Sequence, residues 1–346
     1  MADEGARLRI FPVTPRGQDR AKYLDDIRLV GRFGDSIGFA GMLLFTGNDS
    51  LMEPWTAAHY VLANTKSMSP LIAVNPVYMH PFTVAKMISS MAALYNRQIY
   101  LNLVTGTAIS DLHSLGDQLS HAERYARLGE FIGVVRHLLG SSRPLSLDGK
   151  FYKVANLQLR PRFAGNGVPE FVIAGQSDAA RRLAREMGCV AMQMLPVDLD
   201  EGLGQVPGVN LGILTRADRQ QAWDAAHRLF PHDAENQSIH EYTMANTDSV
   251  WKRRLDALGN DRDLRANGYW LGPFKGGQAD CPYLVGSYED VATTLRGFVA
   301  RKIDTIILDV IPDEEELRHI GNTLELSGIL ERGPAIAALP RDLGFG

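Results

Sequence analysis

Cysteine is scarce in this 346-residue chain, which holds only Cys189 and Cys281. Two such residues cannot build a disulfide framework, and they lack the paired spacing of a zinc site, so a reducing compartment is expected. No run of eighteen apolar residues occurs, which a membrane-crossing helix would need. The polar stretch from Met1 to Arg9 lacks the apolar core of a signal peptide, and a cytoplasmic location follows as the expectation. An excess of one charge is also missing: 36 Lys and Arg face 40 Asp and Glu, for a formal net charge of −4. The two signs are interspersed without long blocks, which argues against nucleic acid as a partner. Arg181, Arg182 and Arg185 make a basic cluster, but they lie in a helix-like run and read as a solvated face. The signature H-E-x-x-H is absent, as is any His/Cys cluster at metal spacing. No G-x-G-x-x-G follows the first strand candidate, which weakens a Rossmann reading. With few acids, bases or nucleophiles to carry a reaction, a bound cofactor is expected to supply the reactivity.

What the chain does contain is a rhythm. With 45% hydrophobic and 22% charged residues it has the composition of an ordinary globular protein. Short apolar, β-branched runs at 8–13, 41–45, 70–74, 99–104, 170–174, 189–195, 209–214 and 305–311 alternate with longer amphipathic segments. This alternation implies a parallel sheet, and eight repeats favour a (β/α)8 TIM barrel over an open sheet. The whole chain, 1–346, reads as a single domain. Segments 141–168, with a hairpin-like pattern from Lys150 to Leu159, and 231–286, rich in Gly, Asp and Pro, break the rhythm and read as insertions. They are expected to crowd the C-terminal face, where barrels build their active sites. Lys275-Gly276-Gly277 is a candidate lid element, or equally an ordinary surface loop.

Three motifs fall where barrel strands would reach that face. In QIYLNLVTGT at 98–107, a buried strand turns small and polar at its end, which makes Asn102, Thr105 and Thr107 candidates. The Asn102 amide can donate and accept as a flavin's pyrimidine edge requires, or can satisfy neighbouring backbone inside the barrel. At 120–125, Ser120 can cap a helix whose first turn gathers His121, Arg124 and Tyr125. Such a terminus favours a phosphate, although solvated charges and a core tyrosine explain the same residues. In AGQSD at 174–178, Gln176 and Ser177 either bind a phosphate or, for the serine, simply cap the next helix. Asp304 and Asp309 flank an apolar strand, as paired carboxylates or as loop and capping groups.

Taken together, NLVTGT at 102–107, HAERYARLGEF at 121–131, AGQSDAA at 174–180 and GSYEDVATTLRGFVARKIDTIIL at 286–308 resemble the bacterial luciferase-like flavin monooxygenases. The alkanesulfonate monooxygenase branch is the most similar. The likeness extends in order over most of the chain, through Thr247-Asp248-Ser249-Val250 and Lys275-Gly276-Gly277. It implies a barrel with a lid-bearing insertion after the seventh strand, reduced FMN delivered by a separate NAD(P)H-dependent flavin reductase, and O2 activated at the flavin C4a position. It also implies association into a dimer or tetramer. By motif, Asn102 and Thr105 would contact the ring, with Thr46 near it. His121 and Tyr125 would lie along the ribityl chain and phosphate, and Gln176 and Ser177 would bind the phosphate.

Departures from the sulfonate branch concern the substrate. Its strand matching Val209-Asn210-Leu211-Gly212 carries an arginine and a histidine, where this chain has Asn210 and Gly212. Ser50 or a neighbour replaces a cysteine, Arg318 a tyrosine and Lys275 the lid arginine. An anionic sulfonate needs paired donors in a desolvated pocket, so a simple alkanesulfonate is not the expected substrate. Phe11, Met79, Gln193 and Met194, with Met192, are candidate pocket liners suited to a larger, less charged molecule, or are core filler. His80 and Lys275 are the catalytic candidates, His80 because histidine titrates near neutrality, though a structural loop histidine fits the same pattern. The expected function is two-component, FMNH2-dependent insertion of one oxygen atom from O2 into a small organic molecule, such as one of specialised metabolism. A deazaflavin-dependent dehydrogenase and a non-catalytic flavin-binding protein are the alternatives.

Overall fold

The computed structural model describes residues 8–330 except 18, 49, 107, 166, 204–205, 233 and 259–266. The chain begins β1 (Arg9–Pro12), α1 (Arg20–Ile37), β2 (Gly41–Leu44), α2 (Pro54–Asn64), β3 (Ser69–Val74), α3 (Pro81–Tyr95), β4 (Tyr100–Leu103). It continues α4 (Ile109–Ser114), α5 (His121–Gly140), β5 (Leu145–Asp148), β6 (Lys153–Leu157), β7 (Phe171–Ile173), α6 (Asp178–Met187), β8 (Val190–Met194), α7 (Leu199–Gly202). Then come β9 (Gly208–Arg216), α8 (Arg219–Leu229), α9 (Ala234–Ala245), α10 (Val250–Asp256), β10 (Tyr269–Trp270) and α11 (Gly272–Lys275). The last elements are β11 (Tyr283–Ser287), α12 (Tyr288–Ala300), β12 (Thr305–Leu308) and α13 (Glu314–Ser327).

The strands at the eight runs read from the sequence pair in parallel in the order β1-β12-β9-β8-β7-β4-β3-β2. A parallel bridge from Val13 to Leu43, with Thr14 N donating to Leu43 O at 2.9 Å, closes the ring. The fold is therefore the expected TIM barrel. Alternation along each strand separates two apolar layers. Phe11, Leu43, Leu71, Val172, Met192 and Ile307 meet inside the barrel. Their neighbours Ile10, Leu44, Ile72, Leu101, Ile173 and Ile306 face the helices. Phe11 is 1% exposed and packs edge-on against Tyr100 with ring centroids 5.2 Å apart. Burying a side chain of this size contributes about 1.5–3 kcal/mol, which fixes the barrel interior as packed core below its mouth.

Local chemistry sets where the helices start. Pro81 opens α3 after His80, whose Nδ1 accepts from Phe82 N at 3.1 Å. Ser120 and Glu123 form a reciprocal capping box at α5, and Ser287 and Asp290 another at α12. Ser177 caps α6 by accepting from Ala180 N. The α5 and α6 caps place their helix N-termini at the mouth, where His121 and Ser177 line the cavity.

The segments read as insertions have distinct courses. The β5–β6 hairpin leaves the C-terminal end of α5 and climbs back along it, so that Lys150 reaches Glu123 and the Lys150, Phe151 and Tyr152 amides donate to Glu130. Within 231–286, β11 pairs in parallel with Gly212–Arg216, the second half of β9, while the first half stays in the barrel. Asn246–Thr247 docks onto the loop after β4: Ile109 N donates to Asn246 O, and Ala108 bridges to Thr247. No helix among the described residues is long and apolar enough to cross a membrane.

Candidate active site

The mouth of the barrel holds a cavity of about 480 Å³, within the range typical of cofactor and small-molecule sites. Its wall is built by residues just beyond the strand ends: Val13 and Arg16 after β1, Phe45 and Thr46 after β2, and Asn75 after β3. Thr105 follows β4, Gln176 and Ser177 follow β7, and Asp309 follows β12. Asp248, Trp251, Asp280 and Cys281 from the second insertion complete it.

In the ring of eight strands, β7 stands opposite β1, and β4 opposite β12. The wall thus has two poles. At the first, the N-termini of α5 and α6 bring His121 and Tyr125 together with Gln176 and Ser177. The Tyr125 hydroxyl lies in hydrogen-bonding reach of Thr105 and Ser177, and burial raises its pKa, keeping it a neutral donor. Gly175 makes this approach possible, because a Cβ there would stand 2.0 Å from the Tyr125 hydroxyl oxygen. Gln176 Nε2 is buried without a hydrogen-bond partner among the described residues, as is Asp248 Oδ1. An orphaned amide donor beside a serine, a tyrosine and two helix N-termini is the chemistry of a phosphate cradle. These residues fit the phosphate end of a flavin mononucleotide.

Arg124, in the first turn of α5, is nearly buried and forms an ion pair with Asp248 while its Nη1 donates to Leu119 O at 3.1 Å. This contact ties the second insertion to the first pole. Asp117 and Arg127 brace the same turn through two hydrogen bonds of 3.2 and 2.8 Å.

The second pole is charged. Arg16 Nη2 lies 3.2 Å from Asp309 Oδ1 and 3.2 Å from Asp280 Oδ2. Lys252 Nζ reaches Asp280 Oδ1 at 2.9 Å, and the Tyr283 hydroxyl donates to Asp309 Oδ2 at 2.9 Å. Burial opposes ionisation of Asp280, yet Lys252 and then Arg16 hold its carboxyl down at about 2. Burial raises the Asp309 carboxyl, with Arg16 working against the shift. Burial, and then the Asp309 charge, push the Cys281 thiol well up, so it stays protonated and is no thiolate nucleophile.

Of the residues singled out in the sequence, Thr46, Thr105, His121, Tyr125, Gln176 and Ser177 line this cavity. Asn102 sits one pleat below Val104 on the interior face that carries Tyr100, and its Oδ1 is buried without a partner among the described residues. His80 lies outside the lining: it caps α3, and its ring meets the edge of Tyr152 at 5.5 Å. Lys275 ends α11 and donates through Nζ to Leu258 O, also away from the lining. Phe11 is in the barrel interior, Met79 packs against the outer core, and Met194 lies between two apolar clusters. Gln193 is buried with its Nε2 donating to Gly202 O at 3.1 Å. Thr107 lies outside the described residues. Asn210 lines the cavity, whereas Gly212 is covered by the Tyr283 ring, into which a Cβ would run at 2.3 Å.

Arg16, Asp280, Cys281 and Tyr283 were not among the sequence candidates. Arg16 carried a usable signal, since it follows the first strand in a Pro-Arg-Gly turn at the catalytic end of the barrel. Asp280 had none, because only the return of β11 alongside β9 brings it to the mouth.

A barrel with such a cradle at its C-terminal mouth and a loop-covered cavity is built like an enzyme that holds a phosphate-bearing cofactor. The luciferase-like monooxygenase family model matches residues 9–207. The chain belongs to the luciferase-like monooxygenase family and is a flavin-dependent monooxygenase; luciferase-like monooxygenases use reduced flavin and O2. It is 28% identical over 320 residues, 88% of this chain and 92% of the relative, to 4-(gamma-L-glutamylamino)butanoyl-[BtrI acyl-carrier protein] monooxygenase BtrO of Niallia circulans. Among solved structures it is similar to EDTA monooxygenase (EmoA) from Chelativorans sp. BNC1, at a TM-score of 0.71 and 18% identity over 94% of this chain and 95% of that one. Riboflavin lyase (RcaE), solved with modified FMN and riboflavin, superposes at a TM-score of 0.75 and 14% identity over 95% and 94% of the two chains.

Proposed function

We propose that this chain is the oxygenating component of a two-component system that takes FMNH2 from an NAD(P)H-dependent flavin reductase and inserts one oxygen atom of O2 into an organic substrate. The observation that carries the FMN reading is the first pole, where Gln176 Nε2 is buried without a partner beside Ser177, Tyr125 and the N-termini of α5 and α6. Bound there, reduced flavin supplies the electrons that activate O2. The protein's part is to hold, orient and shield.

Tyr125, Gln176 and Ser177 hold the phosphate with His121 beside it, and Thr46 and Thr105 border the space for the ring, with Asn102 buried one pleat below. Trp251 and its neighbours 248–250 cover the cavity from the insertion, and the Arg124–Asp248 pair keeps that cover seated. Excluding water favours oxygen transfer over wasteful loss of peroxide. EmoA and BtrO are named for different molecules, so the reaction type is shared while the substrate is particular to each cavity. A simple alkanesulfonate remains disfavoured, because Asn210 lines the wall without a charge and the Tyr283 ring fills the space above Gly212.

Anaerobic titration of the protein with reduced FMN and with a reduced deazaflavin cofactor tests the reading. Tight binding of reduced FMN, with the deazaflavin at least about tenfold weaker, is expected. Preference for the deazaflavin would replace oxygen insertion with hydride transfer.

A further inference from the structure

The charged pole is an unusual wall for an enzyme expected to oxidise a small organic molecule. Arg16 offers five N–H donors, but both of its carboxylate contacts fall on Nη2, each at 3.2 Å. Charge-assisted contacts of full strength are shorter, about 2.7–2.9 Å. Asp280 divides its charge between Arg16 and Lys252. Asp309 is anchored on its far side by the Tyr283 hydroxyl. The Arg16 side chain is 37% exposed and lines the cavity, and Asp309 lines the same wall. A loose ion pair on a cavity wall, each member braced from behind, is poised to exchange partners with a ligand that carries both charges. A ligand with one charge would satisfy Arg16 or Asp309 and leave the other with a displaced partner, a costly outcome in a desolvated site.

We propose that Arg16 and Asp309 form a receptor for the head group of an α-amino acid, Arg16 taking the carboxylate and Asp309 the ammonium, on a substrate whose remaining chain extends toward the middle of the cavity. The proposal rests on the function above in one respect: the flavin phosphate occupies the opposite pole, across the ring of strands. Asp280 and Lys252 position Arg16, and Tyr283 positions Asp309. Tyr283 can do so because residue 212 is a glycine, which leaves room for its ring. The charge that the sulfonate branch was expected to place on the seventh strand is here supplied from β1 and β12 instead.

Calorimetry with three probes sharing a six-carbon chain, norleucine, hexanoate and hexylamine, tests this on the FMN-loaded and the flavin-free protein. Norleucine should bind at least about tenfold more tightly than either singly charged probe, the worth of one additional charge-assisted hydrogen bond. Arg16→Gln should remove the advantage over hexylamine, and Asp309→Asn the advantage over hexanoate. Thermal unfolding confirms that each variant is folded, and Asp280→Asn, which loosens Arg16 without removing it, should weaken norleucine and hexanoate while leaving hexylamine unchanged. Hexanoate or hexylamine binding as well as norleucine, a preference that survives Arg16→Gln, or competition between norleucine and FMN would overturn the proposal. Selective norleucine binding by a protein that binds no FMN would support the receptor while overturning the proposed function.

Discussion

Replacing Gly175 by alanine places a methyl group 2.0 Å from the Tyr125 hydroxyl oxygen, 2.9 Å from Ala180 Cβ and 3.1 Å from Tyr125 Cζ. The first of these distances is by far the most severe and the second is also shorter than side-chain contacts allow, so most of the strain falls on the hydroxyl and a smaller part on Ala180. Overpacking of this kind costs about 1–3 kcal/mol. Tyr125→Phe alone loses one buried hydroxyl and its contacts with Thr105 and Ser177, worth about 1 kcal/mol. The two changes should not add, because removing the hydroxyl also removes the more severe clash, leaving only the approach to Ala180. The Gly175→Ala/Tyr125→Phe double variant should therefore recover at least about 1 kcal/mol relative to the sum of the single variants. Urea denaturation of the four proteins at fixed concentration reads this coupling, and FMN affinity provides a second readout. Gly175→Ala should weaken FMN by about tenfold if Tyr125 supplies a phosphate donor. Additive stabilities, or a Gly175→Ala protein as stable as the parent, would refute the placement of the tyrosine on which the phosphate pole depends.

Asp248→Ala leaves Arg124 buried without its partner; a loss of up to about 3 kcal/mol is expected, together with faster flavin release in a stopped-flow displacement assay. Glu316→Ala strands Arg216 in a buried pair and should cost about 3–5 kcal/mol, while FMN titration stays unchanged because neither residue lines the cavity. Asp280 has a depressed carboxyl at about 2, so its stabilising contribution is present above the unfolded carboxylate pKa and is lost as pH falls from about 4 through 2. Asp280→Asn should flatten the acid limb of stability against pH in that window, modestly, because the side chain is 48% exposed and screened.

The barrel was legible because each strand is a short apolar run bounded by helix-forming sequence, and both signals are local. Val209–Leu214 is instructive: the apolar run marked β9, but not that its second half leaves the barrel to pair with β11. Tyr283–Ser287 was absorbed into an insertion, since five residues ending in Gly-Ser carry little strand signal. The gathering of His121, Tyr125, Gln176 and Ser177 at one wall was readable for the same local reason, since caps, a strand end and a helix start recur within AGQSD and within SHAERY. The charged pole was not. Arg16 and Asp309 are 293 positions apart, and only closure of the barrel between β1 and β12 brings them together. His80 shows the converse, in that a histidine before Pro81 suggests chemistry as readily as a cap, and the backbone decides where its nitrogen points.

Comparing FMN with riboflavin is the most direct measurement of the central claim, that this cavity holds a flavin by its phosphate. The two ligands share a ring and ribityl chain and differ only in the group assigned to Tyr125, Gln176 and Ser177. Equilibrium titration should find FMN at least about a hundredfold tighter, consistent with two charge-assisted hydrogen bonds, with the gap narrowed about tenfold by Gln176→Ala. Equal affinities in the parent protein would contradict the account.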